Sequence, residues 1–141
     1  MELSDYFDGH DNVLLSYSVD AAKKEIRLHS GTYPYDNPAK FHDYLFTGVV
    51  AYHFECDLLS NIIYDITEVT LESVRKGYNE LFKRLENEDW PFVKVRCNNP
   101  EDLLNYLHSQ NIRAYELGAT MGLRGWVWAQ NCDVQVNINS P

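Results

Sequence analysis

YLFTGVVAYHFECDLLSNIIYDITE, residues 44–68, carries the pattern that decides the fold. From Val50 onward its apolar side chains alternate with period two. Val50, Tyr52, Phe54 and Cys56 share one face, and Ile62, Tyr64 and Ile66 resume it after a turn at 58–60. Successive side chains of an extended chain point to opposite faces, so this period marks half-buried strands. The spacing predicts an antiparallel hairpin with that face buried and Ala51, His53, Glu55, Ile63, Asp65 and Thr67 on the other. If Tyr52 faces Ile66 and Phe54 faces Tyr64, the same register sets His53 opposite Asp65, with Glu55 two residues away.

Toward the N-terminus, 13–19 and 25–29 read as short strands around a connection at 20–23. Residues 30–40 gather Gly31, Pro34, Asp36, Asn37 and Pro38 into a loop that displays Tyr33 and Tyr35. Toward the C-terminus, Thr70 is placed as an N-cap. Beyond it Leu71, Val74, Tyr78, Leu81 and Leu85 recur at three- and four-residue spacing, which predicts an amphipathic helix over 71–88. Gly77 inside it costs about 1 kcal/mol relative to Ala, which suggests a close approach to the sheet. A brief strand is expected at 92–96. Asn99 and Pro100 open a second helix over 100–110, with Leu103, Leu104 and Leu107 as its buried stripe and Asn111 as its left-handed stop. Strands at 112–117, 125–129 and 133–138 close the chain. The expectation is an α+β fold: one domain over 1–141, with a single antiparallel-rich sheet and both helices packed on one face.

A chain of 141 residues with 45% apolar and 23% charged residues can support one ordinary core. Its net charge of −9 is unevenly spread. Residues 1–69 hold twelve acids against four bases, a net −8, whereas 70–141 hold nine against eight, a net −1. Such a field repels phosphate backbones and attracts basic surfaces, so a protein partner is expected and nucleic acid is not. The most apolar run, 45–54, is about half the length needed to cross a bilayer, so no membrane span is expected. The N-terminus begins acidic and lacks the positive segment and apolar run of a secretory signal, which points to the cytoplasm. Cys56, Cys97 and Cys132 are odd in number and lack CxxC spacing, as expected for buried free thiols.

Candidate chemistry centres on the expected His53–Asp65 pair, the raw material of acid–base catalysis or of a pH switch. No motif fixes a nucleophile beside it, and an exposed cross-strand pair contributes about 0.2–1 kcal/mol without any further role. Asp8, His10 and Asp11, or His42 with His53, lack recognised metal spacing, and no phosphate-binding or hydrolase motif occurs. No cofactor is expected. Trp126 and Trp128 alternate on one face of a strand, beside Arg124 and Gln130, as core residues or as interface anchors.

The segments Tyr52-His53-Phe54 through Asn61-Ile62-Ile63-Tyr64-Asp65-Ile66, and Gly122-Leu123-Arg124-Gly125-Trp126-Val127-Trp128-Ala129, resemble small bacterial proteins of the polymorphic-toxin immunity type. The resemblance touches the middle and the end of the chain and transfers no residue roles. It implies an inhibitor that caps a cognate toxin domain in the cytoplasm of the producing cell, and with the charge split the expectation is a non-enzymatic protein that holds a basic toxin domain through an acidic, aromatic-containing surface. The partner-binding candidates are Tyr33, Tyr35, Asp36, Asp43, His53, Glu55, Asp65, Arg124 and Trp126. The alternatives are a regulatory adaptor with another protein partner, and a small-ligand domain or enzyme built on His53 and Asp65.

Overall fold

The computed structural model describes residues 12–32, 36, 38–86 and 100–137. Eight strands, β1 (Asn12–Asp20), β2 (Glu25–Gly31), β3 (Phe41–Thr47), β4 (Ala51–Glu55), β5 (Asn61–Val69), β6 (Arg113–Met121), β7 (Arg124–Ala129) and β8 (Asn131–Asn137), form one sheet. Its order is β4-β7-β6-β5-β1-β2-β3-β8, antiparallel at every step. Among the described residues three short helices accompany it: α1 (Leu71–Gly77), α2 (Asn79–Glu86) and α3 (Pro100–Ser109).

The sheet folds over on itself. Only Gln130 separates β7 from β8, and only residues 48–50 separate β3 from β4, yet each pair is split between opposite halves of the strand order. Both chain segments therefore bend from one half of the sheet into the other. They stay paired along both arms, β3 with β8 and β4 with β7. Around the bend, the Gln130 amide donates to the Thr47 carbonyl (3.0 Å), Val50 to Trp128 (2.9 Å) and Val49 to Lys24 (3.0 Å). The ladder thus returns to its starting strand and encloses a core.

That inner core draws Leu14, Ile26, Leu28, Tyr44, Phe46, Cys132 and Val134 from one half and Ile63, Ile66, Tyr115, Leu117, Val127 and Ala129 from the other. The rings of Phe46 and Tyr115 meet across it, 5.5 Å apart. A second core lies outside the sheet, where Leu71, Val74, Phe82, Leu103 and Leu107 of the helices cover Ala114, Trp126 and Trp128. Consequently β7 is buried on both faces from Gly125 to Ala129. Buried polar groups are tied locally. Asn61 Oδ1 accepts from the amides of Leu58 (3.1 Å) and Leu123 (2.8 Å), which fastens the β4–β5 connection to the β6–β7 turn.

The cap of the first helix stands as read: Thr70 Oγ1 accepts from the Ser73 amide at 3.1 Å. Asn111 likewise ends α3 at φ +58, with the Ile112 amide on the Leu107 carbonyl. The single helix expected over 71–88 is instead two, because the backbone leaves the helical region at Tyr78 (φ −118, ψ 39). Gly77 makes no close approach, since a Cβ there would meet nothing within 4 Å. The strand expected at 92–96 and Cys97 lie outside the described residues. Cys132 is buried, but Cys56 is exposed.

The expected hairpin does not form. β4 pairs with β7, and β5 pairs with β6 and β1. The parity of β5 is also broken. Its register passes from Ile62↔Met121 to Ile63↔Ala119 and then to Asp65↔Gly118, so Thr120 and Tyr64 are extra residues on facing strands. Ile63 therefore enters the core, and Tyr64 is 53% exposed rather than buried.

Candidate functional site

The outer face of the half formed by β4, β7, β6 and β5 is only partly roofed by the helices, and the strand registers dictate what stands there. His53 pairs with Trp126, Trp126 with Glu116, and Glu116 with Thr67, one cross-strand row over four strands. One step along, Glu55 pairs with Arg124 and Asp65 with Gly118. The Asp65 carboxylate lies over the bare Cα of Gly118, where a Cβ would come within 2.7 Å of Oδ1.

Arg124 Nε approaches Glu55 Oε1 at 3.2 Å, and the other carboxylate oxygen lies 3.6 Å from His53 Nε2. Tyr78, from the break between α1 and α2, closes the group edge-on against His53 (5.7 Å) and Trp126 (6.3 Å). Burial pushes the Tyr78 hydroxyl above the usual phenol pKa, and the carboxylates of Glu55 and Glu116 reinforce the shift by disfavouring a phenolate. Tyr78 is thus held as a neutral hydroxyl, able to donate or accept. Beneath it Trp126 is buried with its indole Nε1 unpartnered among the described residues, at a desolvation cost of about 1–3 kcal/mol. Phe82 stacks behind it at 5.8 Å.

The structure therefore brings His53, Glu55, Asp65, Arg124 and Trp126 to one face. It does not pair His53 with Asp65. They stand on β4 and β5 with β7 and β6 between them, three ladder steps or about 14 Å apart. The proximity of the two strands in sequence favoured the hairpin, but β7 occupies the position beside β4.

Asp43 belongs to the other half of the sheet. It pairs with His29 across β2 and β3, accepts the His29 Nδ1 contact, and has Arg27 at 3.9 Å. The His29 ring stacks on Phe41 at 5.5 Å, and its Nε2 is buried without a partner among the described residues. His42 faces the core from the same strand, bonded through Nδ1 to the Asn12 amide nitrogen at 2.6 Å. Asp36 is exposed. Tyr33 and Tyr35 lie outside the described residues.

Sequence reasoning did not single out Tyr78, Glu116 or His29. Tyr78 read as part of a helical core stripe. Glu116 shares its strand parity with Ala114, the one signal that could have set it on this face. Among the described residues no cluster of three or more His, Cys, Asp or Glu is arranged to hold a metal, and no helix is long and apolar enough to cross a membrane.

No family model, curated protein or solved structure matches this chain. The face carries the carboxylates of Glu55, Asp65 and Glu116 and the Arg124 guanidinium, paired with Glu55, over an aromatic floor with a neutral phenol.

Proposed function

We propose that the chain is a protein-binding inhibitor of the immunity type, which caps a basic toxin domain with the outer face of β4, β7, β6 and β5. One observation carries this reading. Among the described residues of that face, the carboxylates of Glu55, Asp65 and Glu116 share the surface with Arg124, which pairs with Glu55, beside His53 and Tyr78, leaving the face acidic over an aromatic floor. Lysine and arginine side chains of a partner would find carboxylates at the rim and apolar rings beneath, the arrangement that supports both fast encounter and slow release. Asp43 contributes little to such a field, because His29 and Arg27 already engage it. The separation of His53 from Asp65 gives no support to a proton relay between those two residues.

Co-expression with a panel of bacterial toxin domains, scored by rescue of growth, supplies the partner. Association measured by stopped flow should then slow as salt rises, since exposed attraction is screened over about 8 Å at physiological ionic strength. Replacing Glu55 and Glu116 together by Lys should lower the association rate about tenfold or more. An association rate that stays flat with salt, or is unchanged in that double variant, would refute electrostatic capping by this face.

A further inference from the structure

Along β1, only Asn12, Val13 and Leu14 pair with β5. Among the described residues, the stretch from Ser16 to Asp20 pairs on one side only, with β2, in unbroken register from Ser16↔His29 to Asp20↔Glu25. Alternate backbone amides and carbonyls of this stretch therefore face away from the sheet, and all five residues are exposed. Natural edges are normally guarded by lysine, proline, a bulge within the edge, or a cover. Here the bulge falls before Ser16, and Ser16-Tyr17-Ser18-Val19 carries no charge in a chain of net −9. Tyr17 at 40% and Val19 at 42% exposure add apolar surface.

We infer that this edge pairs with the same edge of a second copy, antiparallel about a twofold axis at Ser18, joining two sheets. The sequence is self-complementary in that register. Tyr17 meets Val19 of the second copy, an aromatic–β-branched pair, Ser18 meets Ser18, and Ser16 meets Asp20, hydroxyl to carboxylate. No like charges face each other. The register also stops where it must, since Leu14 already has Asn61 as its neighbour. The hairpin turn of one copy, with Lys23 and Lys24, runs toward the β4–β5 connection of the other. There Asp57, tied to the Tyr17 hydroxyl at 2.9 Å, supplies the opposite charge, and Leu59 lies 91% exposed. Asn61 and the Leu59 amide hold the Asp57 carboxyl below the usual carboxylate range, keeping it ionised. A five-residue ladder is small for an interface, so this dimer forms and dissociates readily. The inference is independent of the capping reading.

Sedimentation velocity on the full chain, over micromolar to millimolar concentration, tests it. The wild type should pass from monomer to dimer. Ser16→Lys sets a cation opposite Asp20 twice per dimer and should tighten the dimer about threefold to tenfold, while Ser16→Asp should weaken it by a similar factor. Both effects should fade at high salt. Asn105→Lys and Asn105→Asp, on the exposed side of α3, change net charge equally and should leave the dimer as it is. A wild type that remains monomeric throughout would overturn the inference. So would Ser16 variants that shift the dimer no more than their Asn105 counterparts.

Discussion

Two glycines of this chain should respond to the same substitution with opposite sign. Gly125 sits in β7 at φ +152, a conformation that side chains rarely adopt, and it pairs with Phe54 of β4. A Cβ there would overlap the His53 carbonyl oxygen and lie 2.8 Å from the His53 carbonyl carbon and 3.1 Å from the Phe54 Cα. These are backbone atoms and cannot rotate aside, so β4 must move away. Strained φ costs about 1–3 kcal/mol. Loosening β4 adds the net worth of a few ladder hydrogen bonds at about 0.5–1.5 kcal/mol each. Gly125→Ala should therefore destabilise by about 4 kcal/mol, or roughly 12 °C at about 3 °C per kcal/mol for a chain of this size. Gly77, at the end of α1, has open space around it and no positive φ. Gly77→Ala should stabilise by about 0.5–1 kcal/mol, through helix propensity and a less disordered unfolded chain. Urea titration followed by circular dichroism reads both. A loss below about 1 kcal/mol for Gly125→Ala would refute the β4–β7 pairing and with it the placement of His53 and Glu55. A loss for Gly77→Ala would mean that the helix layer packs more closely there.

Phe82→Ala should cost about 3–5 kcal/mol, because the ring is buried against both Trp126 and Trp128, and near-ultraviolet circular dichroism should report the tryptophans losing their packing. Tyr64→Ala should cost under about 1 kcal/mol in the same titration, since the bulge turns that side chain outward. Glu72 bonds to His108 at 3.1 Å, which joins α1 to α3 and holds the Glu72 carboxyl below the usual carboxylate range. A depressed folded pKa stabilises above the ordinary carboxylate pKa and is lost as pH falls through the folded value. The gap in urea midpoint between wild type and His108→Ala should thus be present at neutral pH and vanish in acid, and a gap that grew in acid would contradict the pairing.

Much of the fold was legible because it depends on local signals. Thr70 as a cap and Asn111 as a stop both follow from residue chemistry at single positions. Strand identity followed from alternation, but partner choice did not, because alternation at 50–56 is equally compatible with β5 or β7 as neighbour. The two facing bulges at Thr120 and Tyr64 leave no mark in a binary pattern, so Tyr64 and Ile63 exchanged places with expectation. His53, Glu55, Asp65 and Arg124, singled out separately in the sequence, share one face through the register of four strands. Tyr78 arrives from a helix break that the periodicity of 71–88 concealed.

The closure of the sheet also sets the order in which it can be made. The β1–β2–β3 meander is contiguous in sequence and can pair while the chain is still growing, but the strand that flanks β3, Asn131–Asn137, emerges last. About ninety residues must follow Thr47 before Asn137 appears, which at translation speeds of about 5–20 residues per second is roughly 5–18 s. Through most of that interval the side of the meander bearing Ile26, Leu28, Tyr44 and Phe46 has nothing from β6, β7 or β8 against it. A nascent chain of this design presents its greasiest strands long before their cover exists, so its yield in a cell should depend on whatever shields those strands during synthesis.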